Sequence, residues 1–296
     1  MKVKAAVVQY KLKDINDKVE FAEQIKGYVK EAMQNNPHFI VFPELITAQL
    51  ANLNEGEPTE AILGVSEHTD FYINLFKSLS ISNNVHIVGG SHIIQDISGS
   101  YLNRSYLFYP DGSFECQDKI HLTQWEKQQW ELSPAEKVRT FDTKFGRVAL
   151  LVCYDIEFPE ISRYAMEQGA NIVFCPSWTV TERGLNRITL CSRSKAIENQ
   201  LFVVQTGMTG ELTRFPEMQV NVAKAGIYSP CDRFFSEDGI IQEGNLNEEM
   251  VIFGEMDLDL LHESREDDSS IGIPLIKDMR KDMYSTEFKK QIIRNH

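Results

Sequence analysis

Short apolar runs alternate along this chain with longer stretches in which apolar positions recur every three or four residues. Val3 to Val8 reads as a first strand. From Asp17 to Met33, the residues Val19, Phe21, Ala22, Ile25, Val29 and Ala32 fall on one helical face. Asn35-Asn36-Pro37 ends that helix, and Phe39 to Phe42 is a second buried strand. A helix over Phe71 to Ser80 leads to a strand at Val85 to Val88. Asn103 to Tyr109 and Ser113 to Gln117 flank Pro110-Asp111-Gly112, a hairpin signal. Arg139 to Phe141 and Arg147 to Val152 pair around Gly146. A helix at Pro159 to Gln168, a strand at Ile172 to Cys175, a helix at Asn186 to Asn199 and a strand at Leu201 to Gln205 continue the alternation. Val222 to Tyr228, Gly239 to Gln242 and Met250 to Met256 complete it as late strands. Strands and helices in this order predict an α/β protein.

One internal echo refines that expectation. Phe39-Ile40-Val41-Phe42-Pro43-Glu44 is similar to Asn171-Ile172-Val173-Phe174-Cys175-Pro176-Ser177. Each follows a helix that itself follows a buried strand. Two β-α-β units imply two sheets with helices outside both. No low-complexity linker divides the halves, so residues 1–296 read as one domain, with 258–296 as a C-terminal tail. Glu263 to Ser270 reads as a solvated loop within that tail.

The chain has 296 residues, 42% of them hydrophobic, which is ample for a full core. The formal net charge of −13 opposes binding to phosphate backbones or to anionic membrane surfaces. Neither a nucleic acid nor a membrane is therefore an expected partner. The cysteines are Cys116, Cys153, Cys175, Cys191 and Cys231, an odd number without a Cys-x-x-Cys pair. That predicts neither a disulfide framework nor a zinc site and fits a reducing compartment. Met1 to Tyr10 lacks the features of a signal peptide, and no apolar run approaches the ~20 residues of a membrane span. A soluble cytoplasmic protein is expected. There is no His-Glu-x-x-His, and neither Gly89-Gly90 nor Gly207-x-x-Gly210 has the phosphate-loop pattern, so no metal and no cofactor are expected.

Candidate chemistry centres on Cys153. It follows the run Gly146 to Val152 and precedes Tyr154-Asp155-Ile156-Glu157-Phe158-Pro159-Glu160, where Asp155 and Pro159 mark the turn into a helix. A thiol at the carboxyl end of a buried strand is where an α/β protein places a nucleophile. A thiol is mostly protonated at neutral pH and needs a base or a cation. Glu44, straight after the second strand, can supply the base. Lys119, just after the hairpin, can supply the cation and steady a tetrahedral oxyanion.

These three residues resemble the Glu-Lys-Cys triad of the nitrilase superfamily, the carbon-nitrogen hydrolases. The likeness spans nearly the whole chain. Phe42-Pro43-Glu44 resembles the base motif, Lys119-Ile120-His121-Leu122 the lysine motif, and Cys153-Tyr154-Asp155 with Phe158-Pro159-Glu160 the nucleophile elbow. Val7-Val8-Gln9, Cys175-Pro176-Ser177-Trp178, Ala196-Ile197-Glu198-Asn199 and the closing Asp278 to Tyr284 also fit. The Ile156-Glu157 version, with His121-Leu122-Thr123-Gln124-Trp125-Glu126, is similar to a subgroup sometimes fused to an acetyltransferase domain, for which this length leaves no room.

The resemblance implies a four-layer α-β-β-α sandwich and a homodimer or higher homo-oligomer built through the outer helices. It implies a second glutamate near the lysine, Glu126 or its competitor Glu131. The implied reaction is cleavage of a small-molecule amide. Glu44 takes the Cys153 proton, and Lys119 and the backbone N–H of Tyr154 hold the oxyanion. An acyl-thioester forms, and water activated by Glu44 releases it. Nitrile hydrolysis by the same triad and a catalytically silent scaffold are the alternatives. Trp178 is expected to wall the substrate pocket, with Asn103, Trp125 and Trp130 as further candidates. Many family members carry Arg where this chain has Glu157; facing the pocket, Glu157 would repel a substrate carboxylate. Lys195 stands where Arg is commoner and keeps the charge.

Overall fold

The computed structural model describes residues 1–284. The first half of the chain runs β1 (Lys2–Leu12), α1 (Lys18–Ala32), β2 (Phe39–Val41), α2 (Pro58–Leu63), α3 (Thr69–Asn83), β3 (His86–Gln95), β4 (Tyr101–Phe108), β5 (Phe114–Asp118) and α4 (Gln124–Gln128). Next come β6 (Thr140–Thr143), β7 (Gly146–Leu150), α5 (Pro159–Glu167), β8 (Ile172–Cys175), α6 (Glu182–Glu198), β9 (Phe202–Gln205) and β10 (Gly207–Gly210). The last elements are β11 (Gly226–Tyr228), β12 (Ile240–Glu243), β13 (Met250–Asp257), α7 (Leu258–Arg265) and α8 (Leu275–Asp278).

The strands form two sheets. One has seven strands in the order β10-β1-β2-β3-β4-β5, with β13 also pairing β1; the other has six, β12-β11-β9-β8-β7-β6. β1, β2 and β3 are mutually parallel, as are β7, β8 and β9. The echo in the sequence is therefore real topology: β1-α1-β2 and β7-α5-β8 are the two β-α-β units.

Alternation along β1 explains the layering. Val3, Ala5 and Val7 pack with Phe39, Val148, Ile172 and Phe174 between the sheets. Ala6, Val8 and Tyr10 point the other way, towards Phe21, Ile25 and Phe76 of α1 and α3. Behind the six-stranded sheet, Ala149, Val173 and Val203 pack against Ile161 and Ala165 of α5 and Ile188 of α6. Both faces of each central strand are buried, which is why these strands read as continuous apolar runs. The result is the α-β-β-α sandwich.

Several boundaries differ from the expectations, each for a local reason. β1 reaches Leu12 because its far end pairs with β10, unseen in sequence. Asp17 caps α1, accepting the N–H groups of Val19 and Glu20; Val19, in the exposed first turn, leaves the buried face and Tyr28 joins it. α6 begins at Glu182, earlier than its apolar periodicity, because Thr181 caps it by accepting the Gly184 N–H. Only Gly226–Tyr228 of the expected Val222 strand joins the sheet. The stretch read as a tail opens with α7, capped by Asp257, whose Leu258 and Leu261 are buried in the inter-sheet core. Residues 285–296 of that stretch lie outside the described residues. Among the described residues, no helix is long and apolar enough to cross a membrane.

Candidate active site

The ends of β2, β5, β7 and β8 and the start of β4 share one rim. Each delivers a side chain to it.

Glu44 follows β2 across Phe42-Pro43. Phe42 still donates its N–H to Val88 at 2.9 Å, as if β2 continued. The register of β3 against β4 then slips between Val88 and Ser91. Gly90, at φ +73°, lies so close that a Cβ there would stand 1.9 Å from the Pro43 carbonyl oxygen. Ser91 completes the cradle: its N–H donates to Pro43 O, and its Oγ accepts the N–H of Leu45 at 2.9 Å. The bulge thus aims Glu44 inward, where it is buried.

Lys119 leaves β5 with its N–H bonded to Asn103 O at 2.8 Å. Its buried Nζ donates to Glu44 Oε1 at 2.7 Å and to both Glu126 oxygens at 2.8 and 2.9 Å. Glu126 is placed by a capping box at the start of α4: Thr123 donates its N–H and Oγ to Glu126 Oε2 and accepts the Glu126 N–H. Asn103 spans the carboxylates, donating through Nδ2 to Glu44 at 3.0 Å and to Glu126 at 2.9 Å.

Cys153 sits at φ +49°, a left-handed conformation costly for a residue with a Cβ, on the sharp turn after β7. Its N–H donates to Pro176 O at 2.9 Å, and its Sγ lies 3.3 Å from Trp178 O. The following N–H, that of Tyr154, precedes the first internal bond of the turn, Asp155 N–H to Val152 O. It has no hydrogen-bond partner among the described residues. Trp178 N–H donates to Glu44 Oε2 at 3.1 Å, tying Glu44 to the sheet that carries the sulfur.

Burial and neighbours set the charges. Burial pushes the Cys153 thiol well above its ordinary value, Glu44 adds to that push, and Lys119 opposes both. Burial likewise raises Glu44, and the nearby Glu126 charge contributes, against the pull of Lys119. For Glu126 the cost of burial is outweighed by the Lys119 charge and by hydrogen bonds from Lys119, Asn103 and Thr123, so its carboxyl is lowered. Lys119 is held well above its ordinary value by Glu126, Glu44 and Cys153 despite burial. Two neighbouring carboxyls are thereby driven apart, the arrangement that separates a proton carrier from a fixed anion.

Cys153, Glu44, Lys119 and Glu126 all open to one cavity of about 350 Å³. Its walls include Tyr154, Trp125, Trp130 and Trp178; the last two indoles stack at 6.1 Å. Glu157 also faces this cavity, and both its oxygens take the Nε of Arg187 at 3.1 Å. Glu131 is exposed on the loop beyond α4 and does not reach the cluster. Asn103, expected on the pocket wall, does not line the cavity: its Nδ2 is taken by the two carboxylates. Lys195 is buried against Glu198, outside the cavity. His121 stacks on Phe158 at 3.6 Å and turns its Nδ1 to Asp155, so it is no partner for the thiol.

Sequence reading missed four residues here. Asp155 accepts the backbone N–H groups of Ile120, His121 and Val152, joining the lysine segment to the cysteine elbow. Its place inside the elbow motif was the available signal. Arg187 and Glu217 line the cavity from α6 and a distant turn, and nothing in the linear sequence marks them. Gly90 was legible only as a glycine.

The carbon-nitrogen hydrolase family model matches residues 4–266. A Bacillus subtilis protein described as "Probable hydrolase YhcX" is 40% identical over 289 residues; these cover 97% of this chain but 56% of that protein, so the chain spans little more than half of its relative. Omega-amidase NIT2 of Homo sapiens is 26% identical over 96% of this chain and 98% of its own length. The crystal structure of a carbon-nitrogen hydrolase from Helicobacter pylori superposes with a TM-score of 0.80 at 20% identity, covering 96% of this chain and 97% of that one.

Proposed function

The chain belongs to the carbon-nitrogen hydrolase family of the nitrilase superfamily, and on that footing we propose that it cleaves a small-molecule amide through a thioester on Cys153. The observation that carries this reading is the placement of Lys119 Nζ. It bonds Glu44 and Glu126 at 2.7 to 2.9 Å and opens to the same cavity as the Cys153 sulfur. Omega-amidases among the relatives favour an amide over a nitrile.

The raised thiol makes the resting sulfur neutral. Its proton passes to Glu44 as the S–C bond forms. The carbonyl electron pair moves onto oxygen, which Lys119 Nζ and the Tyr154 N–H hold. As the tetrahedral carbon collapses, the C–N bond breaks and Glu44 returns the proton to the leaving nitrogen. Water then loses a proton to Glu44, its oxygen attacks the thioester, and the C–S bond breaks with the proton restored to sulfur. Glu126, kept ionised, anchors Lys119 throughout. Exposed Tyr164, Leu190 and Ile197 on α5 and α6 support a homodimer through the outer helices.

The test is release of ammonia or amine from a panel of short amides and their nitriles, with quenched samples analysed for an acyl adduct on the Cys153 peptide. Cys153→Ala should fold and release nothing. Turnover by that variant at the native rate, or native protein inert to every amide, overturns the reading.

A further inference from the structure

The charges on the cavity wall outside the Glu44–Lys119–Glu126 cluster narrow the substrate. Three acidic or basic side chains face it there: Glu157, Arg187 and Glu217. Glu157, largely buried, is already met by Arg187, with both oxygens on the Nε. Glu217, half-buried in the turn Pro216–Met218, has no ion-pair or hydrogen-bond partner among the described residues. Apart from that cluster, the cavity wall therefore carries one uncompensated negative charge. The surrounding wall is apolar and aromatic, with half-exposed Trp125 and the indole of Trp178, whose Nε1 is fixed on Asn221 Oδ1 at 2.5 Å. An indole face attracts a cation and offers nothing to a carboxylate.

From this we infer that the site selects amides whose far end carries an ammonium or similar cation, with Glu217 as its counter-ion and the Glu157–Arg187 pair as a neutral wall. The inference rests on the amide-hydrolase reading above. A substrate carboxylate would face Glu217 and, at Arg187, meet only the Nη groups of a guanidinium whose charge Glu157 already balances. A cation displaces nothing. Glu217 is a specificity residue and touches no reacting atom.

Three amides of matched length separate the possibilities: γ-aminobutyramide, valeramide and glutaramate, which are cationic, neutral and anionic. For the native protein, kcat/KM should fall in that order. Glu217→Gln should narrow the γ-aminobutyramide to valeramide ratio about fivefold, the scale of one partly screened charge pair. Affinities of the same amides for the Cys153→Ala protein, measured by calorimetry, should follow the same order without turnover. Glutaramate binding best would instead make Arg187 a carboxylate anchor and overturn the inference, as would a ratio unmoved by Glu217→Gln. Absence of hydrolysis with the binding order intact would sink the catalytic reading and leave the charge preference standing.

Discussion

Asp155 and His121 are joined twice: Asp155 Oδ1 accepts the His121 backbone N–H at 2.7 Å and lies 3.1 Å from its Nδ1. Because Asp155 is two residues from the sulfur and His121 two residues from Lys119, this clasp fixes the spacing of nucleophile and cation. Asp155→Asn puts an amide where backbone donors converge, and kcat should fall about a hundredfold, the penalty of a misplacement near 1 Å. Asp155→Ala also strands buried N–H groups and should cost about 1–3 kcal/mol in a denaturant titration. A native kcat in Asp155→Asn would refute the clasp.

The pH profile follows from the two carboxyls. In the proposed mechanism, turnover needs Glu44 ionised while the thiol keeps its proton. Glu44 is raised, so kcat/KM should climb above the ordinary carboxylate range rather than within it. The alkaline fall should come late, since Cys153 and Lys119 are both pushed up. Glu126 contributes to raising Glu44, so Glu126→Gln should move the acid limb to lower pH while lowering kcat about 10²–10³-fold. An acid limb that stays put or moves upward contradicts this.

Two glycine-to-alanine changes should have opposite signs. In Gly90→Ala the new Cβ meets the Pro43 carbonyl at 1.9 Å from a left-handed backbone. Stability should drop by about 2 kcal/mol or more, and activity with it, because Glu44 is displaced. Gly27, in the middle of α1, is exposed, and a methyl group added there would meet nothing within 4 Å. Gly27→Ala should gain about 0.5–1 kcal/mol and leave kcat alone. Thermal melts of the two proteins measure both.

Alkylation reports the proton path. With its thiol raised by burial, Cys153 should add to 4-vinylpyridine, a Michael acceptor that is not an amide, faster with Glu44 present than without it. Timed peptide mapping should find Cys153 modified faster in the native protein than in Glu44→Gln, with exposed Cys231 modified equally in both. Equal labelling of Cys153 in the two proteins would remove Glu44 as its base.

The sandwich was legible because buried parallel strands leave unbroken apolar runs, such as Phe39 to Phe42 and Ile172 to Cys175, that local propensity cannot mimic for long. Glu44 and Cys153 stood out because each follows such a run, whereas Lys119 follows the polar hairpin strand Phe114–Asp118 and stood out only beside them. Asn103 was misread, since sequence gives its approach to the rim but not the side from which its amide meets the carboxylates. Glu126 and Glu131 could not be separated until α4 supplied the capping box that turns one inward. Glu217 and Arg187 reach the cavity only through chain folding over long separations, which no local pattern records.

Phe39 of the seven-stranded sheet touches Phe174 of the six-stranded sheet, with ring centroids 5.0 Å apart. Glu44, Lys119 and Glu126 travel with the first sheet, Cys153 with the second. On the proposed mechanism, a nascent or half-assembled chain would hold an idle thiol, and reactivity would come only once the two slabs have clicked into register. Trimming either ring, remote from the rim, would loosen that mating and blunt the chemistry without altering a single reacting group.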